Sequence, residues 1–290
     1  MDKVAHQGHE EHLALQAGGV SHYENFPVAS FLCPPALRPA IAAIYWFART
    51  ADDIADEGDA SPQSRLDDLA DYRLDLAACA NGQKVSARWQ AVFGPLEGVI
   101  GQFTLPTDLL GDLLSAFEQD VVKTRYDSQA ELLDYCRLSA NPVGRLLLHL
   151  YKVHDATSLQ QSDCICSALQ LINFWQDLSV DIPRGRVYLP ADSWVAHGVT
   201  EADLQGLQIK PSTTALVAAN VAWAQALMAR GAPLVKKVPG RAGWELRLVV
   251  QGGLRIAEKI EQLGFATLRQ RPKLNAWDAT VMLWRAFWMG

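Results

Sequence analysis

Apolar positions along this chain recur at intervals of three and four residues, the period of a helix packed on one face, and no run alternates at two as a half-buried strand does. The stretch Pro35 to Glu57, PALRPAIAAIYWFARTADDIADE, follows this period and stops before Gly58, a residue suited to closing a helix. Pro62 fits a first helical turn and opens the next segment, RLDDLADYRLDLAACA, which ends at Asn81-Gly82. Further helices are predicted near 84–100, 107–124, 129–153, 158–181, 212–231, 241–265 and 276–288, with Pro142 kinking the one over 129–153. A turn-rich stretch at 182–194, IPRGRVYLPADSW, separates the front half from the back. With no β-α-β spacing, solenoid period or low-complexity linker, the pattern predicts an all-α fold. The expected organisation is one helical domain over residues 20–290, preceded by a polar tail, residues 1–19, carrying His6, His9 and His12.

Composition narrows the function. A chain of 290 residues with 49% hydrophobic residues can bury a substantial core. The 26 basic and 32 acidic residues leave a net charge of -6, so no basic stripe for nucleic acid is expected and no nucleic-acid partner is assigned. Five scattered cysteines (Cys33, Cys79, Cys136, Cys164, Cys166) form no C-x-x-C pair; they read as small apolar residues in a reducing cytoplasm. The N-terminus lacks a signal layout, and no apolar run reaches the ~20 residues that cross a bilayer. The expected location is cytoplasmic, at most peripheral on the inner membrane surface.

Two acidic clusters lie inside otherwise apolar helices. The first is Asp52-Asp53-Ile54-Ala55-Asp56-Glu57; the second is Asn173, Asp177 and Asp181 within NFWQDLSVD. Four helical residues advance ~400°, so residues i and i+4 share a face. Asp52 and Asp56 therefore form a two-carboxylate ledge, and Asn173, Asp177 and Asp181 a three-oxygen row. Like charges stacked this way repel, so a cation is expected between them. Oxygen-only donors without His or Cys select hard Mg²⁺ or Mn²⁺, which completes its shell with substrate phosphate oxygens. The plain alternative for DDxxDE alone is a solvated helix end; two clusters with Arg49, Arg184 and Arg186 nearby carry the stronger reading.

These motifs are identifiable. IYWFARTADDIADE, DYCRLSANPVG, LQLINFWQDLSVDIPRGRVYLP and the terminal RPKL segment resemble the squalene/phytoene synthase family of head-to-head prenyl-condensing enzymes over residues 20–290. The resemblance implies an isoprenoid-synthase helical bundle around a central apolar cavity, with two or three Mg²⁺ ions as cofactors. It implies that Asp52, Asp53 and Asp56 are the first metal-binding group and Asn173, Asp177 and Asp181 the second. Arg49 is implied to face the diphosphate and Tyr135 to stand beside the reacting carbons, while Arg186 and Tyr188 match the loop after the second row. Gln176, where many members have arginine, joins Arg49, Arg186 and Tyr188 as a substrate-binding position. Within the family, ENFPVAS, ARTADDIADEG, SANPVGRLLL and NFWQDLSVD are most similar to the hopanoid-pathway branch, which turns presqualene diphosphate into hydroxysqualene. Glu24 and Asn25 stand where members that condense two farnesyl diphosphates often carry a basic residue, which favours one already joined C30 diphosphate.

The implied reaction ionises presqualene diphosphate in an apolar site and captures the rearranged cation with one water. Phe26, Leu32, Tyr45, Leu138, Val143, Leu147, Leu169, Ile172 and Trp175 are candidates for the wall, although core packing explains any one of them. Asn141, Ser139 and Tyr135 are candidates to hold the water; Asn141 is equally explained by the kink at Pro142. No G-x-G-x-x-G follows a strand, so no nicotinamide is expected. Arg269, Arg271 and Lys273 lead into a helix bearing Trp277, Trp284, Phe287 and Trp288, which reads either as a membrane-surface helix or as a terminal helix packed on the bundle. Enzymes upstream and downstream in squalene synthesis are the expected pathway partners. Three alternatives remain at this point: a presqualene diphosphate or other head-to-head C30/C40 synthase, a non-catalytic helical scaffold, and a di-metal carboxylate oxidase. The last needs Glu-x-x-His motifs, and none is present.

Overall fold

The computed structural model describes residues 33–289. The tail 1–19, Glu24, Asn25, Phe26 and Leu32 lie outside the described residues. Helical period becomes helix nearly everywhere else: α1 (Arg38–Asp56), α2 (Pro62–Ala80), α3 (Gln90–Phe103), α4 (Thr107–Val122), α5 (Gln129–Ser139), α6 (Asn141–Leu150), α7 (Ala156–Gln176) and α8 (Leu178–Asp181). A 3-10 turn at Ile182–Arg184 leads to α9 (Ala191–Ala196), α10 (Glu201–Gln205), α11 (Pro211–Gly231), a second 3-10 turn at Ala232–Lys236, α12 (Gly240–Gln262) and α13 (Ala276–Trp288). The described residues form no strand, only an isolated bridge between Arg125 and Val187. Local chemistry sets several ends. Pro39 sits in the first turn of α1, the Ser61 hydroxyl accepts the Ser64 N–H at 3.2 Å to cap α2, and Gly58 takes the positive φ of 77° that only glycine adopts freely.

Three expectations need correction. Helix was expected from residue 84, but α3 begins at Gln90, because the buried Asp75 carboxylate accepts both the Ser86 N–H, at 2.8 Å, and the Ser86 hydroxyl. Those bonds satisfy the loop in a non-helical path. Pro142 does more than kink: the chain breaks into α5 and α6, which meet at Ala140. The helix expected over 158–181 ends at Gln176. Ser179 donates its N–H to the Thr267 carbonyl at 3.1 Å, so a tertiary partner replaces the rung that would have continued α7.

The buried residues fall into two groups. One is built by α1–α4 around Ile44, Phe47, Tyr72 and Phe93; the other by α7, α11 and α12 around Trp175, Leu171, Val221 and Ile260. Helix α6 lies between them, giving Leu146 and Leu150 to the first and Leu148 to the second. Helix α7 is central, packed against α5, α6, α11 and α12. Its approach to α11 depends on Gly231, where a Cβ would lie 2.6 Å from the Gln161 carbonyl oxygen.

Helix α13 is held to α12 by a buried acid. Asp278, 1% exposed, pairs with Arg255 at 2.7 Å and Lys259 at 2.8 Å and accepts the Asn275 N–H at 2.7 Å. Burial raises its pKa, but Lys259, the Asn275 N–H and Arg255 outweigh that and hold the carboxyl at about 2. A carboxyl held below its unfolded value stabilises the fold above that value and stops doing so as pH falls through the folded one. The gap in thermal midpoint between the native chain and Asp278→Asn is therefore expected to be full above about pH 4 and to close as pH falls toward 2. Melts over that range check it; a gap independent of pH would show that the ion pairs contribute nothing.

Candidate active site

Two helices run from the apolar interior to one polar end. On α1, Ile41, Tyr45, Ala48 and Asp52 share a face by the helical period. Ile41 lines an apolar cavity, and Asp52 sits about 16 Å further along the axis. On α7, Cys166 and Leu169 line the same cavity, and Asn173 and Asp177 continue their face. The cavity holds about 730 Å³ of empty space, its mouth included, and lies where the two core groups meet. Of the expected wall residues, Val143, Leu147 and Leu169 line it. Tyr45, Leu138, Ile172 and Trp175 do not line it and pack into the core groups.

At the polar end the two acidic rows are joined by arginines. Arg49 reaches Asp52 at 3.0 Å and both Asp53 and Glu57 at 2.6 Å, so its guanidinium is engaged by carboxylates of its own helix and cap. Arg186 binds Asp56 across 130 residues of sequence and also faces Asp52, Asp120 and Asp181 electrostatically. Arg271 grips Asp177 with Nε and, at 3.3 Å, with Nη2. Asp177 ends α7, Asp181 follows one turn later through its N–H to the Asp177 carbonyl at 2.9 Å, and Asn173 is half-buried one turn before. The two rows thus meet across Arg186.

The carboxyls here are short of positive charge. Burial raises Asp52, with Asp56 and Glu57 adding to the shift against Arg49. Burial lifts Asp53 to about 6, Asp181 to about 6 with help from Asp177, and Asp120 to about 7. Asp120, on α4, accepts the Tyr135 hydroxyl at 2.9 Å, and burial beside that carboxylate drives the Tyr135 pKa well above the usual phenol range. Tyr135 belongs to a buried set of rings with Tyr126, Phe174 and Tyr188; Phe174 and Tyr188 stack at 3.7 Å and 4°.

Two expected site residues have other tasks. Gln176 is buried and donates its amide to the Pro272 carbonyl at 2.7 Å, pinning the segment that carries Arg271. Asn141 is also buried, and its Oδ1 accepts the Ser167 hydroxyl at 3.0 Å, tying α6 to α7. The Ser139 hydroxyl, one turn beyond Tyr135, is buried with no hydrogen-bond partner among the described residues. Sequence reading missed Asp120; its signal was a carboxylate one turn past Ala116, on the buried side of α4. Tyr126 and Phe174 carried no signal beyond core.

Among the described residues no three Asp, Glu, His or Cys side chains converge as a closed metal cage. The rows are open ledges, because their acids lie on separate helices with arginines between them. The donor set nevertheless fits a hard cation that shares its shell with a ligand: carboxylate and amide oxygens only, on carboxyls that burial leaves short of counter-charge.

Residues 20–278 match the profile of squalene/phytoene synthase. The chain is 41% identical to hydroxysqualene synthase of Zymomonas mobilis over 66% of its own length and 63% of that protein. It is 35% identical to hydroxysqualene synthase of Sinorhizobium fredii, covering 82% of this chain and 78% of that one. Its fold is similar to the crystal structure of a squalene synthase from Alicyclobacillus acidocaldarius, with a TM-score of 0.80 at 33% identity over 88% of this chain and 95% of the other.

Proposed function

Because the chain belongs to the squalene/phytoene synthase family, we propose that it ionises presqualene diphosphate and captures the rearranged cation with water, giving hydroxysqualene and diphosphate. Residues 20–290 act as one catalytic unit in this reading. The observation that carries it is the pair of acidic rows joined through Arg186, at the end of two helices whose other ends line an apolar cavity. The C–O bond breaks with its electron pair on the diphosphate. Water then forms the new C–O bond and gives up a proton.

Asp52, Asp53 and Asp56 on one side, and Asn173, Asp177 and Asp181 on the other, would hold two or three Mg²⁺ ions, with Mn²⁺ as a substitute. Magnesium, when bound, supplies positive charge that stabilises the departing diphosphate. Arg186, and Arg49 and Arg271 as their carboxylates turn to the cations, are placed to donate to diphosphate oxygens. The cavity wall excludes water from the hydrocarbon chain. Tyr135 is held by Asp120, beside the buried stack of Phe174 and Tyr188. Tyr135 and Ser139 are the residues that would position the capturing water; the buried, unpartnered Ser139 hydroxyl is the observation behind the latter. The pathway neighbours are then an enzyme that joins two prenyl diphosphates and one that consumes a tertiary C30 alcohol, and an apolar product leaves toward a membrane surface.

A second reading is condensation of two farnesyl diphosphates. Arg271 favours it, as a third guanidinium at the polar end. The purified chain with Mg²⁺, given presqualene diphosphate or farnesyl diphosphate with and without a nicotinamide, decides by product mass spectrometry. Hydroxysqualene from presqualene diphosphate, unchanged by nicotinamide, is expected. Consumption of farnesyl diphosphate with no action on presqualene diphosphate would transfer the assignment to the second reading.

A further inference from the structure

Helix α13 has two apolar faces, and among the described residues the bundle covers only one. Asp278 and Ala286 are buried, with Met282 and Met289 beside them on the same side. The opposite side presents Trp277, Leu283, Trp284, Phe287 and Trp288, each more than half exposed, at 57–69%. Trp244 of α12, 39% exposed, extends the patch through a ring contact with Phe287 at 6.3 Å. The exposed side of α13 carries no acid; its one acid, Asp278, is turned inward. A soluble helix seldom leaves three tryptophans and a phenylalanine in water, and such a patch marks an interaction surface.

Charge identifies the partner. Residues 231–290 hold ten basic and four acidic side chains, a net of +6, in a chain whose net charge is -6. Arg247 stacks over Trp244 at 4.9 Å within the patch, and exposed Arg269 and Lys273 lead into α13. An exposed tryptophan face with Arg247 on Trp244 and exposed Arg269 and Lys273 just before it, on a helix too short and too polar on its inner side to span, matches the interfacial layer of an anionic bilayer. No described helix is long and apolar enough to cross a membrane. We propose that the outer face of α13, with Trp244, seats this protein on an anionic lipid surface. The biological purpose rests on the proposed function, whose C30 product is insoluble in water; the surface itself does not depend on which C30 reaction occurs.

Co-sedimentation of the full chain with phosphatidylglycerol vesicles and with neutral phosphatidylcholine vesicles, without substrate, tests it. Preferential, salt-weakened binding to the anionic vesicles is expected, with affinity reduced about tenfold or more in the double variant Trp284→Ser/Trp288→Ser. Arg269→Glu/Lys273→Glu should weaken binding while leaving the thermal midpoint and turnover of detergent-dispersed substrate unchanged. Should a tryptophan variant fail to fold, the native chain still answers: brominated phosphatidylglycerol should quench its tryptophan fluorescence. Equal affinity for neutral and anionic vesicles, no quenching, or self-association through these tryptophans without vesicle binding would each overturn the proposal. Vesicle binding without turnover of presqualene diphosphate would instead count against the catalytic reading alone.

Discussion

Asp52→Asn is expected to lower turnover of presqualene diphosphate by about 10³-fold while leaving the metal-free protein as stable as the native chain. The two halves of this expectation have one cause. Asp52 stands against Asp56 and Glu57, and burial with those like charges disfavours its ionised form despite Arg49. Removing its charge therefore costs the empty fold little, and Arg49 keeps Asp53 and Glu57 as partners. Turnover, in the proposed mechanism, needs that charge to hold a cation against a departing diphosphate. Steady-state kinetics with saturating Mg²⁺, paired with thermal melts with and without Mg²⁺, measures both halves. A folded variant retaining native kcat would return the chain to the scaffold alternative. Chelation of divalent cations should abolish turnover of the native enzyme, and added Mg²⁺ should restore it.

Trp175→Ala carries the largest expected cost to stability, about 3–5 kcal/mol. Trp175 is 0% exposed, in the last turn of the helix that packs against α5, α6, α11 and α12. Its removal leaves a large cavity in the most tightly surrounded helix of the bundle. The residue also precedes the break at Asp177, so loosening it frees the segment that aims Asp177 and Asp181. The denaturation midpoint should fall, and Mg²⁺-dependent turnover should fall at temperatures where the variant is still folded. Leu74→Ala, at a position 68% exposed on α2, is the control and should change stability by no more than about 0.5 kcal/mol. A Trp175→Ala midpoint equal to that of the control would mean that α7 is not the structural centre of the bundle.

Reading the sequence recovered helix positions where order is local. The spans of α1, α2, α11 and α13 agree with the apolar period to within a few residues, helped in α1 and α2 by the Pro and Gly end signals, which act inside one or two turns. It erred where a distant partner replaced a local bond: Asp75 on Ser86, and the Thr267 carbonyl on Ser179. The short helices α9 and α10 sit in or beside a stretch whose composition announced only turns.

The candidate site divides the same way. That Asp52 and Asp56, or Asn173 and Asp177, share a helix face is arithmetic on residue spacing, available from the letters alone, as are the family motifs and the charge reversal in the last sixty residues. Tertiary structure alone decided which polar groups are spoken for. Gln176 and Asn141 look as available as Asn173 in the sequence, yet packing assigns the first to Pro272 and the second to Ser167. It also brought Asp120 to Tyr135, Arg271 to Asp177 and Arg186 to Asp56, across 15, 94 and 130 residues. Helical geometry relates residues only a few positions apart, whereas contacts at such separations depend on how whole helices pack, and no local pattern encodes that.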